Sequence, residues 1–187
     1  MEENLKRVEE IKIIRSLKQD LNNPRYRLLK RVEKATILKA LNDYEHSLID
    51  LITIHNKNAK MLQDEGIETK EVQVPKEEVR TPNYEFADSL LLATNENKST
   101  YLKDTTRMIL SGDPIHHNLT EQEFIVLAKA LKDYATNLQN AIAKEENNQK
   151  LYEEDGIKPS AKPYQPLSQQ DALNTLYNNV ETTKKMS

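Results

Sequence analysis

With 187 residues, 30% charged and 37% hydrophobic, and a net charge of −3, the chain is long enough for one or two domains but has a lean core and no overall pull on nucleic acid or membrane. It contains no cysteine, which excludes disulfides, cysteine nucleophiles and thiolate metal sites. No apolar run approaches the roughly 18 residues of a membrane span, and "MEENLKRVEEIK" lacks the apolar stretch of a signal peptide, so a cytoplasmic protein making no membrane contact is expected.

Leu, Lys, Glu, Ala and Gln dominate, and only "KEVQVP" (70–75) alternates like a strand, so the expected fold is all-α. In chain order, a first helix spans 2–21 and stops before "NNP". A long second helix spans 25–65. A linker follows at 67–81, then a third helix over 83–111, after "TPN". A long fourth helix covers 119–155, a proline-rich linker 158–167, and a fifth helix 168–185 with Ser168 as N-cap and Asp171 at N3. The Pro and alternating Val of the linkers predict extended segments lying along the helices; "SAKPYQP" (160–166) has the composition of a docking peptide but is read as a stiff spacer.

The ends of the long helices are marked. Thr120 and Glu123 form a capping box, with Leu119 and Phe124 placed for a hydrophobic staple. "LQDEGI" and "YEEDGI" put Gly66 and Gly156 where a left-handed C′ residue belongs, followed by Ile67 and Ile157 at C″. Gly112, in "LSGDP", ends another helix in the same way. All three glycines are thereby used as helix stops, which leaves none for a phosphate loop.

The chain repeats itself. "KALNDY" (39–44) returns as "KALKDY" (129–134), and an ungapped comparison of 31–67 with 121–157 gives 12 identities in 37 positions. Leu41, Tyr44, Leu48 and Ile52 match Leu131, Tyr134, Leu138 and Ile142, spaced by three or four, so the shared words are first a core-facing stripe. We read an internal duplication: two αα units, each a long helix, an extended linker and a shorter helix, in a helical bundle or coiled-coil-like assembly. The division is a basic N-terminal helix and turn (1–29), a first repeat (30–112) and a second (113–187). Asn58, Lys60, Asn148 and Lys150 are kept in both copies near the helix ends, where they face outward and form a candidate protein interface.

Few residues suggest chemistry. Asp43 and His46 have the i, i+3 spacing used by four-helix di-iron sites, but the second copy reads "DYAT" (133–136) and lacks the histidine. Lys39 and Lys129 each stand one turn before Asp43 and Asp133, so helix-surface ion pairs account for both aspartates. His116 and His117 are adjacent on a turn and diverge, and no Ser or Asp stands near a His in a relay pattern. No catalytic residue, metal site or cofactor is therefore expected. Residues 1–34 hold ten Lys/Arg against six Asp/Glu, and Arg25, Arg27, Lys30, Arg31 and Lys34 around Tyr26 form a candidate phosphate-contacting patch. No named nucleic-acid motif accompanies it, so a solvated face neutralised by the acidic remainder is preferred.

The expectation is a non-enzymatic helical module that binds a protein partner as an adaptor, inhibitor or assembly factor and forms a homodimer. Its Lys-, Asn- and Ile-rich composition is of the kind encoded by AT-rich genomes, their phages and mobile elements. A nucleic-acid-binding accessory protein and a ferritin-like metal-binding protein are the alternatives.

Overall fold

The computed structural model describes residues 1–22, 29–76, 86–110 and 119–156, and every regular element in them is helical. These residues carry four α-helices rather than five: α1 (Glu2–Asp20), α2 (Arg31–Asp64), α3 (Asn95–Leu110) and α4 (Glu121–Glu154). The helix expected over 168–185 lies outside them, as do Gly112, the His116–His117 turn and the proline-rich linker. Among the described residues no helix is long and apolar enough to cross a membrane.

Two boundaries differ from expectation. The helix expected over 83–111 is divided into a 3-10 turn, Ala87–Leu90, and α3. Thr94 causes the restart: its hydroxyl accepts from the Asn97 N–H at 3.1 Å, and its carbonyl accepts from Lys98 at 2.8 Å. α2 begins at Arg31 and not near residue 25, because Lys30 is extended (φ −68°, ψ 157°) and its N–H donates to Glu33 Oε2 at 2.7 Å.

Glu123 does the same for α4. Its carboxylate accepts from the Thr120 N–H at 3.1 Å, while its own N–H donates to the Thr120 hydroxyl at 3.2 Å. At the other end of α2, Gly66 (φ +83°) donates to Gln63 O and Ile67 to Leu62 O, both at 2.9 Å, completing a Schellman ending. Gly156 (φ +65°) closes α4 with a bond to Glu153 O. α2 and α4 are each 34 residues, about 50 Å.

α2 and α4 pack on each other, and α1 and α3 each pack on both. Ile11, Ile14 and Leu17 of α1, Leu41, Leu48 and Ile52 of α2, Leu102 and Ile109 of α3, and Leu127, Leu131, Tyr134 and Leu138 of α4 are buried in one core. The repeated stripe is thus the seam between the long helices. Thr36 and Thr105 are fully buried there, and each hydroxyl is satisfied by the carbonyl four residues back.

Residues 67–76 form no regular element, and although "KEVQVP" alternates like a strand they bond to side chains of the helices. The Asn56 amide donates to Val72 O and accepts from Val72 N, both at 2.8 Å, imitating one rung of a ladder. Gln63 donates to Thr69 O and Thr69 to Ala59 O. Arg15 of α1 donates to Pro75 O at 2.9 Å and Lys76 O at 3.0 Å. This strap runs back along α2 and over the α1–α2 groove. The Phe86 ring lies 5.7 Å from Lys34 Nζ, near the start of α2.

Candidate functional site

The densest polar cluster lies where α1, α2 and α4 meet. Glu10 of α1 takes two partners: it accepts from the Tyr44 hydroxyl at 2.8 Å and from the Lys129 ammonium. Lys129 therefore does not pair with Asp133, as its helical spacing suggested, because the carboxylate of α1 intervenes. Lys39 does pair with Asp43, at 2.8 Å. Asp133 Oδ2 and the Tyr134 hydroxyl are buried and find no hydrogen-bond partner among the described residues.

Both tyrosines resist ionisation. Burial, then the bond to Glu10 and the negative charges of Glu10 and Asp133, push Tyr44 far above its ordinary value. Burial, then the charge of Asp43, pushes Tyr134 up to about 12. The relation is reciprocal: the aspartate beside each tyrosine on one helix acts on the tyrosine of the other. α2 and α4 thus meet at equivalent positions, 43–44 against 133–134.

A second cluster joins α1, α2 and the strap. Glu45 is buried, with Arg15 Nε at 2.6 Å from one carboxylate oxygen and the Lys18 ammonium on the other. Lys18 also reaches Asn42 Oδ1 at 3.1 Å. Burial alone would raise the Glu45 carboxyl, but the bonds from Lys18 and Arg15 outweigh it and hold the group below its usual range. The Glu45 cluster is a set of charges satisfied across three elements, whereas the Glu10 cluster leaves Asp133 Oδ2 and the Tyr134 hydroxyl without a partner among the described residues.

The predicted residues fall as follows. Asn58, Lys60, Asn148 and Lys150 are all exposed on the C-terminal halves of α2 and α4. His46 Nδ1 lies 2.8 Å from Asn42 O, and among the described residues no three His, Asp or Glu side chains are grouped to hold a metal. Arg25 and Arg27 lie outside the described residues. Lys30 caps α2 through its backbone, Arg31 is exposed, and Lys34 stacks on Phe86. Other basic residues of the N-terminal third, Arg7, Lys12, Arg15 and Lys18, bond acidic side chains.

Two features escaped sequence reasoning. One is a groove of about 640 Å³ between α3 and α4, mostly apolar, lined by Leu102, Thr106, Arg107, Leu110, Ala135 and Gln139 among others. The other is an exposed apolar row on α2: Leu51, Ile54 and Met61, with Ile54 and Met61 each more than half exposed. The spacing of that row was available in the sequence, and Asn58 lies within it. Comparisons with protein families, with curated proteins and with solved structures give no match.

Proposed function

We propose that the chain is a non-enzymatic interaction module, built from a duplicated helical hairpin, that presents the C-terminal halves of its long helices to a protein partner as an adaptor, inhibitor or assembly factor. The observation that carries this reading is the row Leu51, Ile54, Asn58 and Met61. Its steps of three, four and three are those of a coiled-coil seam with one polar position, and it is exposed. Burying such a seam favours association, while a single Asn in it selects register and partner. Ninety residues on, α4 carries Ala141, Lys144, Asn148 and Leu151 at the matching positions, with Leu151 and Tyr152 exposed. A second copy of the chain is the first partner to test.

The duplication is supported by the equal lengths of α2 and α4, the same 90-residue offset at both ends, the shared Glu33/Glu123 caps and the reciprocal meeting at 43–44 and 133–134. It extends to the short helices at an offset one residue larger. Asn4, Ile11 and Lys12 of α1 then align with Asn95, Leu102 and Lys103 of α3, and Ile11 and Leu102 are both buried. On this reading the repeating unit is a short helix followed by a long one, an alternative to the division at 30–112 suggested by the long helices alone.

The test is sedimentation velocity, together with affinity capture from native lysate with and without nuclease, on the wild-type chain and on Ile54→Glu/Met61→Glu. Self-association, or one stoichiometric protein that survives nuclease, should disappear in the variant while helicity is kept. A monomer whose captured proteins vanish with nuclease, equally for both chains, would overturn the reading in favour of nucleic acid.

A further inference from the structure

We infer that the groove between α3 and α4 binds an extended segment of a separate protein, which lies along it as the strap lies along the groove between α1 and α2, with a large apolar side chain over Ala135. The inference rests on the duplication proposed above and gives the interaction module a second contact surface, independent of the α2 row. The first hairpin shows how such a segment is held. Val72 is buried and tied to Asn56, and Val74 packs against the core. Arg15 holds the carbonyls of Pro75 and Lys76 while its Nε bonds Glu45. Asn56 and Glu45 stand about 16 Å apart on α2, so the few residues from Val72 to Lys76 are drawn out to span them.

The second hairpin repeats that groove, and among the described residues no segment covers it. Asn95 bonds Glu145 at 2.7 Å, and about three turns along the antiparallel pair Thr106 and Ala135 line the groove. At the offsets found above, these two are the counterparts of Arg15 and Glu45, while Leu102 and Gln139 are those of Ile11 and Ile49. The differences between the grooves set the ligand. Ala135 removes the carboxylate and the bulk of Glu45, which leaves a mostly apolar floor with room for a larger side chain than Val74. With Thr106 in place of Arg15, the guanidinium moves one residue on, to Arg107. It is exposed on the rim beside Lys103, where it can take a segment's carbonyls. Gln139 offers an amide that donates and accepts, as Asn56 does toward Val72. Main-chain bonds to side chains, with an apolar pocket between them, are how a drawn-out peptide is recognised.

The probes are two fluorescein-labelled peptides of the strap sequence "ETKEVQVPK" (68–76), one carrying Val74→Phe and the other Val72→Asp with Val74→Asp, titrated by anisotropy against the full chain. The expected result is saturable binding of the Val74→Phe peptide at one site per chain. Binding should be about tenfold or more weaker for the aspartate peptide, and about tenfold or more weaker to Ala135→Trp, which fills the floor, and to Arg107→Glu. Circular dichroism checks both variants, and Arg107, on the surface, keeps the test open where the floor variant does not fold. Ile54→Glu/Met61→Glu should bind the peptide as the wild-type chain does. No saturable binding to the wild-type chain up to about 1 mM, as when the chain itself or a second copy fills the groove, overturns the inference. Binding that both groove variants leave unchanged overturns it too. The α2 row fails or stands separately. Self-association or capture lost only in Ile54→Glu/Met61→Glu keeps the row without the groove, whereas peptide binding with neither of them keeps the groove without the row.

Discussion

Tyr44 and Tyr134 hold equivalent positions in the two long helices but differ in partners, and removing each hydroxyl should have different effects. Tyr44→Phe takes a donor from Glu10 and should cost about 1 kcal/mol in urea unfolding. Tyr134→Phe removes a buried hydroxyl with no partner among the described residues and should be neutral or stabilising by up to about 1 kcal/mol. Both tyrosines also set an alkaline limit. An unfolded tyrosine ionises near pH 10, whereas Tyr134 holds its proton to about 12, so over that window the unfolded chain binds fewer protons and stability falls as pH rises. The urea midpoint should drop across this range, and by less in Tyr134→Phe. Glu45 acts at the other end of the scale. Its folded carboxyl lies below the unfolded value, so its contribution is present above that value and is lost as pH falls through the folded one. Glu45→Gln leaves Arg15 and Lys18 without a counter-charge in a buried site. It should cost about 3 kcal/mol at neutral pH and flatten the acid limb of the stability profile.

Among the elements, the strap depends on one side chain. Asn56→Ala deletes both bonds to Val72 and should cost about 2 kcal/mol, with faster amide exchange at Val72 and little change within α2. Helix ends and the core seam were legible in the sequence because their signals are local: Thr120 with Glu123, Gly66 with Ile67, and leucines spaced by three and four. The break before α3 was harder to see, since Thr94 lies among residues that also suit a helix. The clusters around Glu10 and Glu45 were not legible. Arg15 and Glu45 are 30 residues apart and Lys129 and Glu10 are 119 apart, and nothing in the spelling of Lys129 says that it will prefer Glu10 to the aspartate one turn away. Surface ion pairs use the same letters as these cross-element bonds, and only the packing decides between them.

For the whole molecule, the shared core of two hairpins makes a definite prediction. A chain divided between residues 80 and 81 and co-expressed as two pieces should elute as one complex, because α2 and α4 bury their seam against each other and α1 and α3 bridge both. Pieces that elute separately would mean that each hairpin is its own folding unit. The meeting at 43–44 and 133–134 also carries a history under the proposed duplication. Two identical hairpins around a twofold axis make every contact twice. Once they are joined in one gene, each copy mutates alone. Glu10, which now serves both Tyr44 and Lys129, has Tyr101 as its α3 counterpart, and that residue offers no carboxylate to the opposite side. Under that duplication the Tyr134 hydroxyl, which has no partner among the described residues, stands where Tyr44 has Glu10, so the two halves differ in whether an acid meets the shared tyrosine.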